Sequence, residues 1–208
     1  VQTCALPIYA RLIWQAQVIH KAKSLNNDQE YKTGTVTKQW MQDVVKLSWY
    51  DLGPQLAIEH LKKFGITVIL EKHLPKTYLD GAVCFYNGKP IIALTLRHDS
   101  IDNFWFTLMH ELAHISLHFD KNEEWFLDNL DQKCDDPRED EANALAREVL
   151  IPDNIFYQYP HTDKGISEMA SDLKISPCII AGRIKFEKKD FQLFGKKFRD
   201  KTSKILKI

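Results

Sequence analysis

One stretch of the sequence decides what this chain becomes: Asn103-Phe104-Trp105-Phe106-Thr107-Leu108-Met109-His110-Glu111-Leu112-Ala113-His114. Drawn as a helix, it carries apolar side chains in nearly every direction, and a helix that is apolar all round is buried. It also contains the pattern HExxH. At 100° per residue, His110 and His114 lie about 40° apart on one helix face and about 6 Å apart along its axis. That spacing lets two imidazoles converge on one tetrahedral metal ion.

The polar residues in the middle of this buried helix need partners, because a buried charge without one is very costly. A metal ion would satisfy His110, Glu111 and His114 together. The alternative is a pair of core histidines hydrogen-bonded to the backbone, with Glu111 pointing to solvent. The helix taken alone leaves both interpretations open.

The segment after His114 does not supply an obvious third ligand. It lacks the glycine and histidine continuation that the metzincin pattern requires. His118 lies one turn further along, but it has drifted about 80° around the helix from His110 and sits at the helix end. We therefore expect His118 to hydrogen-bond the terminal carbonyl groups of the helix.

A second helix offers a carboxylate. Its apolar stripe consists of Ala142, Leu145, Ala146, Val149 and Leu150. Glu139 projects about 60° from the centre of that stripe, and Glu141 projects about 100° away on the other side. Glu139 is therefore the predicted third ligand, and Asn143 is predicted to hydrogen-bond a metal-ligating imidazole. The alternative is an acidic surface cluster at a helix N-terminus, stabilised by the helix dipole.

Taken together, these motifs resemble the ImmA/IrrE family of zinc metallopeptidases. The resemblance rests on residues 103–114, on Glu139-Asp140-Glu141-Ala142-Asn143 and on a helix ending in Val149-Leu150-Ile151-Pro152, and it extends from about Leu52 to Lys185. It implies a gluzincin-like site in which His110, His114 and Glu139 bind Zn²⁺ and Glu111 is the catalytic base. It also implies a bacterial, intracellular protein that cleaves or controls repressors.

The resemblance implies a hydrolytic mechanism as well. Zinc would lower the pKa of a water toward about 7, and Glu111 would pass the water's proton to the leaving amine. We expect the strand from Pro90 to Leu96 to align an extended peptide substrate by β-augmentation. The oxyanion donor is left open among Tyr78, His98 and His161.

The rest of the chain predicts an α+β fold, with a small antiparallel sheet beside a helical body. Asn87-Gly88 is a strong hairpin signal between two strands. The first helix carries apolar residues at Leu12, Ile13, Ala16 and Ile19, a helical spacing. The predicted helices are 9–23, 37–45, 54–64, 100–118, 138–151, 166–173 and 177–187, and the predicted strands are 66–70, 82–86 and 90–96.

Composition limits the class of protein. With 208 residues, 44% apolar and 27% charged, the chain falls in the ordinary globular range, which excludes disorder and a coiled coil. No apolar run is long enough to span a bilayer. Cys4, Cys84, Cys134 and Cys178 form no CxxC pair, which favours a reduced cytoplasmic setting.

The net charge is zero, but it is unevenly spread. Residues 119–153 carry a balance of minus 8, and residues 181–208 carry plus 7. The residue pattern of the segment from Ile166 to Arg183 is typical of a helix-turn-helix. Such a module, together with the basic tail, would contact DNA. The alternatives are a helical hairpin that packs on the catalytic core, and charged faces that are merely solvated.

We divide the chain into four parts. Residues 1–8 resemble the translation of a sequencing adapter, and 9–51 are interpreted as a helical segment or linker from a truncated upstream region. Residues 52–188 form the metallopeptidase domain, and 189–208 form the basic tail. We expect a missing N-terminal helix-turn-helix to supply DNA binding.

The predicted function is that of a zinc-dependent endopeptidase acting on a repressor or antitoxin-like protein in a bacterial regulatory or toxin–antitoxin system. The substrate would be a protein or peptide, and no membrane partner is expected. The alternative is a non-proteolytic zinc-binding sensor module of a DNA-binding regulator.

Overall fold

The computed structural model describes residues 5–75, 77–118, 125–128 and 136–207. Residues 1–4 of the suspected adapter segment, Cys4, Cys134 and most of the acidic stretch 119–135 lie outside them. The fold is α+β, as predicted. The helices are α1 Ala5–Leu25, α2 Lys38–Val45, α3 Gly53–Lys63, α4 Ile101–Leu117, α5 Pro137–Leu150, α6 Asp153–Phe156, α7 Asp163–Leu173, α8 Pro177–Lys188 and α9 Thr202–Leu206, with a 3-10 turn at Lys46–Trp49; the strands are β1 Thr67–Leu70, β2 Gly81–Tyr86, β3 Lys89–Leu94 and β4 Trp125–Asp128.

The sheet has the strand order β1-β3-β2-β4. The predicted hairpin is confirmed: β2 and β3 pair antiparallel across Asn87 and Gly88, whose φ angles of 51° and 75° suit a tight two-residue turn. Two expectations need correction. The sheet is mixed, because β1 runs parallel to β3, and β4 lies within the stretch predicted to be irregular.

The position of β3 also corrects the predicted substrate strand. β3 is bonded to β1 along one edge and to β2 along the other. Its backbone groups are therefore committed to the sheet, and the strand beginning at Pro90 cannot add a peptide by β-augmentation. The outer strands of the described sheet are β1 and β4.

The two faces of the sheet are both covered. Along β3, Ile92 and Leu94 face the helical body, while the alternate residues Ile91 and Ala93 face a smaller apolar cluster. That smaller cluster is built on Trp14 and Val18 of α1, together with Ile69, Leu79, Ala82 and Cys84. Burial there raises the pKa of the Cys84 thiol to about 12.

The helix α1 is oriented differently from the prediction. Leu12, Ile13 and Ala16, three of its four predicted apolar positions, are exposed, and Trp14 and Val18 are the fully buried residues. Apolar side chains occur all round this helix, so spacing alone did not select the buried face. Because α1 covers the sheet and α2 packs against α5, the segment 9–51 contributes residues to both cores, and the division of the chain into four parts stays a prediction.

The helix α4 occupies the centre of the molecule. It packs against α5, α8, β2 and β3, and twelve of its seventeen residues are buried. Ala142 and Ala146 of α5 are fully buried, and such small residues permit a close approach to α4. Ser100 takes the N-cap position of α4, but its side chain makes no capping hydrogen bond. The predicted cap Thr37, by contrast, accepts a hydrogen bond from the Trp40 backbone N–H.

The hairpin of α7 and α8 packs on the core, as the alternative to a helix-turn-helix proposed. Ile180 is fully buried in the main core. Arg183 donates hydrogen bonds to the Ile151 carbonyl and to the Asp153 and Glu187 carboxylates, and its guanidinium lies 4.0 Å from the Phe156 ring centroid. The would-be recognition helix thus uses these side chains for intramolecular contacts.

The C-terminal segment is docked, although its composition predicted only a basic tail. Thr202 is fully buried, and the Ile101 backbone N–H donates to the Asp200 carbonyl at 3.0 Å. Asp99 accepts hydrogen bonds from the Ser203 N–H at 2.8 Å and the Ser203 hydroxyl at 2.6 Å. In the part of the chain that the structure describes, no helix has both the length and the apolar character needed to cross a membrane.

We predict that Asp99→Asn loosens this docking. Burial acts to raise the pKa of Asp99, but the hydrogen bonds from Ser203 and the charge of Lys201 outweigh it, so the pKa lies below its ordinary value. The charged form therefore stabilises the fold above pH ~4, and that stabilisation is lost as the pH falls through the lowered pKa. Urea unfolding at pH 7 should show a loss of about 1–2 kcal/mol.

The control is Asp43→Asn, since Asp43 contacts Lys46 and Gln39 on the exposed surface of α2 and its neighbouring turn. It should cost less than Asp99→Asn at pH 7. The deficit of Asp99→Asn should shrink as the pH is lowered below 4. An equal loss in both variants, or a deficit that does not depend on pH, would contradict the docking role of Asp99.

Candidate metal centre

Two helices bring the three predicted ligands together. His110 and His114 lie four residues apart on α4, with their Nε2 atoms 3.0 Å from each other. Glu139, in the first turn of α5, places Oε2 3.4 Å from the His110 Nε2 and Oε1 3.3 Å from the His114 Nε2. The three ligand atoms lie within 4.8 Å of one another.

The chemistry of this donor set fits a zinc ion. Both imidazoles are fully buried, and the Glu139 side chain is 19% exposed, so one side of the cluster is accessible to solvent. Two imidazole nitrogens and a carboxylate are the three protein ligands typical of catalytic zinc, which keeps a fourth position open. The roles of His110, His114 and Glu139 as ligands remain predictions that this geometry supports.

Glu111 is fully buried, which overturns the alternative in which it points to solvent. Its carboxylate lies against the first residue of β2: a Cβ added to Gly81 would be 2.0 Å from the Glu111 Oε1 and 2.7 Å from the Thr107 Cγ2. Only glycine leaves room for the carboxylate here. The start of β2 therefore fixes one wall of the space in which Glu111 lies.

An ion pair holds that wall in place. Asp80, immediately before Gly81, accepts two hydrogen bonds from Arg97, from Nε at 2.9 Å and from Nη2 at 2.6 Å. The two side chains are only 3% and 15% exposed. The Thr95 hydroxyl donates to the Leu79 carbonyl at 2.8 Å. These contacts tie the end of β3 to the start of β2, beside α4. Asp80 and Arg97 are separated in the chain and belong to no motif, so the sequence carries no signal for this pair.

The three candidate oxyanion donors have different surroundings. Tyr78 is 54% exposed, three residues before Gly81, with a φ angle of 52°. His98 lines a small cavity together with Asp80 and Arg97. The His161 ring packs on Phe156, with 4.6 Å between the ring centroids, and the Arg183 guanidinium contacts the same Phe156 ring. The selection of a donor among them remains a prediction.

The partner of the His114 ring differs from the expected one. Within the described residues, no hydrogen bond joins the half-buried Asn143 to either histidine of the cluster. Instead the His118 Nδ1 lies 3.1 Å from the His114 Nδ1, and the His118 Nε2 lies 3.0 Å from the Glu141 Oε2. The side chain of His118 thus faces two side chains, where helix-end carbonyl groups were predicted. The four-residue spacing of His110, His114 and His118 places the three histidines on one face of the helix, and this spacing could have predicted the contact between His114 and His118.

The fold and this cluster define a metallopeptidase-type domain. A family model described as the IrrE N-terminal-like domain, peptidase family M78, matches residues 61–185, more than half of the chain. The chain belongs to this family, which confirms the resemblance to ImmA/IrrE proteins. Among curated proteins, none matches the chain.

We predict that the purified protein binds about one zinc per chain and that the double variant His110→Ala, His114→Ala loses it, because two of three ligands are gone. Glu139→Ala should weaken binding more than Glu141→Ala, since only Glu139 lies within 3.4 Å of both Nε2 atoms. Elemental analysis and chelator competition measure both effects. Full zinc occupancy in the double variant would show that His110 and His114 do not bind the zinc. The opposite ranking of the two glutamate variants would show that Glu141 is the third ligand.

We also predict an energetic coupling between Gly81 and Glu111. Gly81→Ala should destabilise the protein by about 1–3 kcal/mol, because the added methyl group overlaps the Glu111 carboxylate. In a Glu111→Ala background the overlap with the carboxylate disappears. A double-mutant cycle in urea should therefore give a coupling of about 0.5–3 kcal/mol. Strictly additive effects would show that the two residues do not compete for this space.

Proposed function

We propose that this chain is a zinc-dependent endopeptidase that acts on a regulatory protein, such as a repressor or an antitoxin, in the bacterial cytoplasm. The observation that carries the proposal is the position of Glu111: a fully buried carboxylate beside His110, on the helix that also supplies His114. The match to a peptidase family supports the reaction class.

Each residue of the candidate site has a separate role in the proposed hydrolysis. His110, His114 and Glu139 would hold zinc, which when bound supplies the Lewis acidity that activates a water and polarises a carbonyl. Glu111 accepts the proton of the water and later gives it to the leaving amine. Gly81 leaves room for the Glu111 carboxylate, and the Asp80–Arg97 pair keeps Gly81 in its place.

The sheet suggests where an extended peptide substrate lies. Gly81 pairs with Asp128 of β4, and β4 is an outer strand of the described sheet. A peptide added along β4 would therefore pass the end of the sheet that lies beside Glu111. We therefore propose β4, and not β3, as the strand that binds the peptide. Among the described strands, β4 has a neighbour on one side only.

We do not attribute DNA binding to α7 and α8, since Ile180 and Arg183 are used in intramolecular packing. Binding of DNA through a helix-turn-helix upstream of this domain stays a prediction. That the cleaved protein is a repressor or an antitoxin also stays a prediction.

The decisive variant is Glu111→Gln. It keeps the size and helical preference of the side chain but cannot take a proton, so zinc should remain bound while cleavage falls by a factor of about 10²–10⁴. The assay incubates zinc-loaded protein with the repressors and antitoxins encoded beside its gene and follows their fragments by mass spectrometry.

Glu168→Gln is the matched control, because it makes the same chemical change on the surface of α7, where Glu168 pairs with Lys164. It should cleave like the wild type. Cleavage that persists in Glu111→Gln would remove Glu111 as the base. Zinc-loaded wild type that cleaves none of these proteins would favour the sensor alternative over the peptidase.

A further inference from the structure

His118 and Glu141 continue the metal cluster away from its centre. His118 is the C-cap residue of α4, one turn beyond His114, and its side chain is 7% exposed. Its Nδ1 lies 3.1 Å from the His114 Nδ1, on the side of the His114 ring opposite to the Nε2 that faces Glu139. On its other side, the His118 Nε2 lies 3.0 Å from Glu141 of α5. The order of groups is thus Glu141, then His118, then the candidate ligand His114.

The hydrogen positions along this row follow from the chemistry of imidazole. Two Nδ1 atoms at hydrogen-bond distance need one N–H and one lone pair between them. If the His114 Nε2 gives its lone pair to a metal, a neutral His114 carries its hydrogen on Nδ1 and donates it to His118. The His118 Nδ1 is then the acceptor, and its hydrogen sits on Nε2, which donates to the Glu141 carboxylate. Every contact in the row has one donor and one acceptor in this arrangement.

We propose that His118 and Glu141 are positioning residues for the metal ligand His114. They hold the His114 ring in the tautomer that leaves Nε2 free for zinc, and they fix the plane of the ring. This inference rests on the zinc site of the proposed function, but not on its peptidase activity. Partners of this kind commonly contribute 10–100-fold to metal affinity.

The row also joins the two helices that carry the ligands. The helix α5 reaches the cluster twice, directly through Glu139 and indirectly through Glu141 and His118. The contact is made at the C-terminal end of α4. Zinc binding and the α4–α5 arrangement should therefore depend on each other through His118.

The first test is zinc affinity, measured by chelator competition at a fixed pH. His118→Phe keeps an aromatic ring of similar width but offers no acceptor, and it should bind zinc about 10–100-fold more weakly. His118→Gln can accept from the His114 Nδ1–H with its amide oxygen and donate to Glu141 with its amide nitrogen, so it should recover most of the affinity. A purely space-filling role would predict the opposite order.

The second test removes the outer carboxylate. Glu141→Ala should weaken zinc binding by up to about tenfold, less than His118→Phe, because the Glu141 side chain is 62% exposed. Asp140→Ala is the matched control: it removes a carboxylate from the neighbouring position of α5, on a residue that is exposed. It should leave the affinity unchanged. Equal effects of the two variants would mean that only the charge of α5 matters.

The third test observes the tautomers of the two histidines in the wild type, so it needs no variant. In long-range proton–nitrogen NMR spectra of the zinc-loaded wild type, His114 should carry hydrogen on Nδ1 and His118 on Nε2. Any other pair of tautomers overturns the proposal, as does wild-type affinity in a folded His118→Phe. A wild type that binds no zinc would overturn the metal site itself, whereas zinc binding without cleavage leaves this inference intact.

Discussion

The constraint on which the structure depends is that a buried helix carries three polar side chains. The helix α4 places His110, Glu111 and His114 where water cannot hydrate them, so each must find its partners within the protein. For His110 and His114, the surrounding elements meet this requirement. The helix α5 supplies Glu139, the end of α4 supplies His118, and the start of β2 leaves a space of the right size beside Glu111.

Small residues make this arrangement possible. Gly81 on β2 and Ala142 and Ala146 on α5 all stand where a larger side chain would push a neighbouring element away from α4. The elements that touch the site are in turn fixed from outside by charged pairs. Asp80 and Arg97 hold the start of β2, and Arg183 holds α8 against the segment that follows α5. The elements that support the site are thus themselves tied to their neighbours by ion pairs.

Much of the architecture could be predicted from local sequence. Helices and strands followed from apolar spacing, the β2–β3 hairpin from Asn87-Gly88, and the candidate metal site from HExxH and Glu139. These features depend on residues close together in the chain or on one helix face. The errors lay elsewhere. The exposed face of α1, the parallel pairing of β1 and the interior place of β3 are decided by contacts between distant segments, for which a single sequence carries no local signal.

The sequence by itself determined the chemistry: which helix is buried, which side chains it carries, and which carboxylate stands at the right angle on a second helix. Helical geometry is fixed by the backbone, so residue spacing translates directly into direction. Only the tertiary structure decided how the site is completed. Whether His114 meets Asn143 or His118, and what presses against Glu111, depend on the distance and rotation between α4, α5 and β2. Those are set by the packing of side chains from the whole core, and no spacing within one segment encodes them.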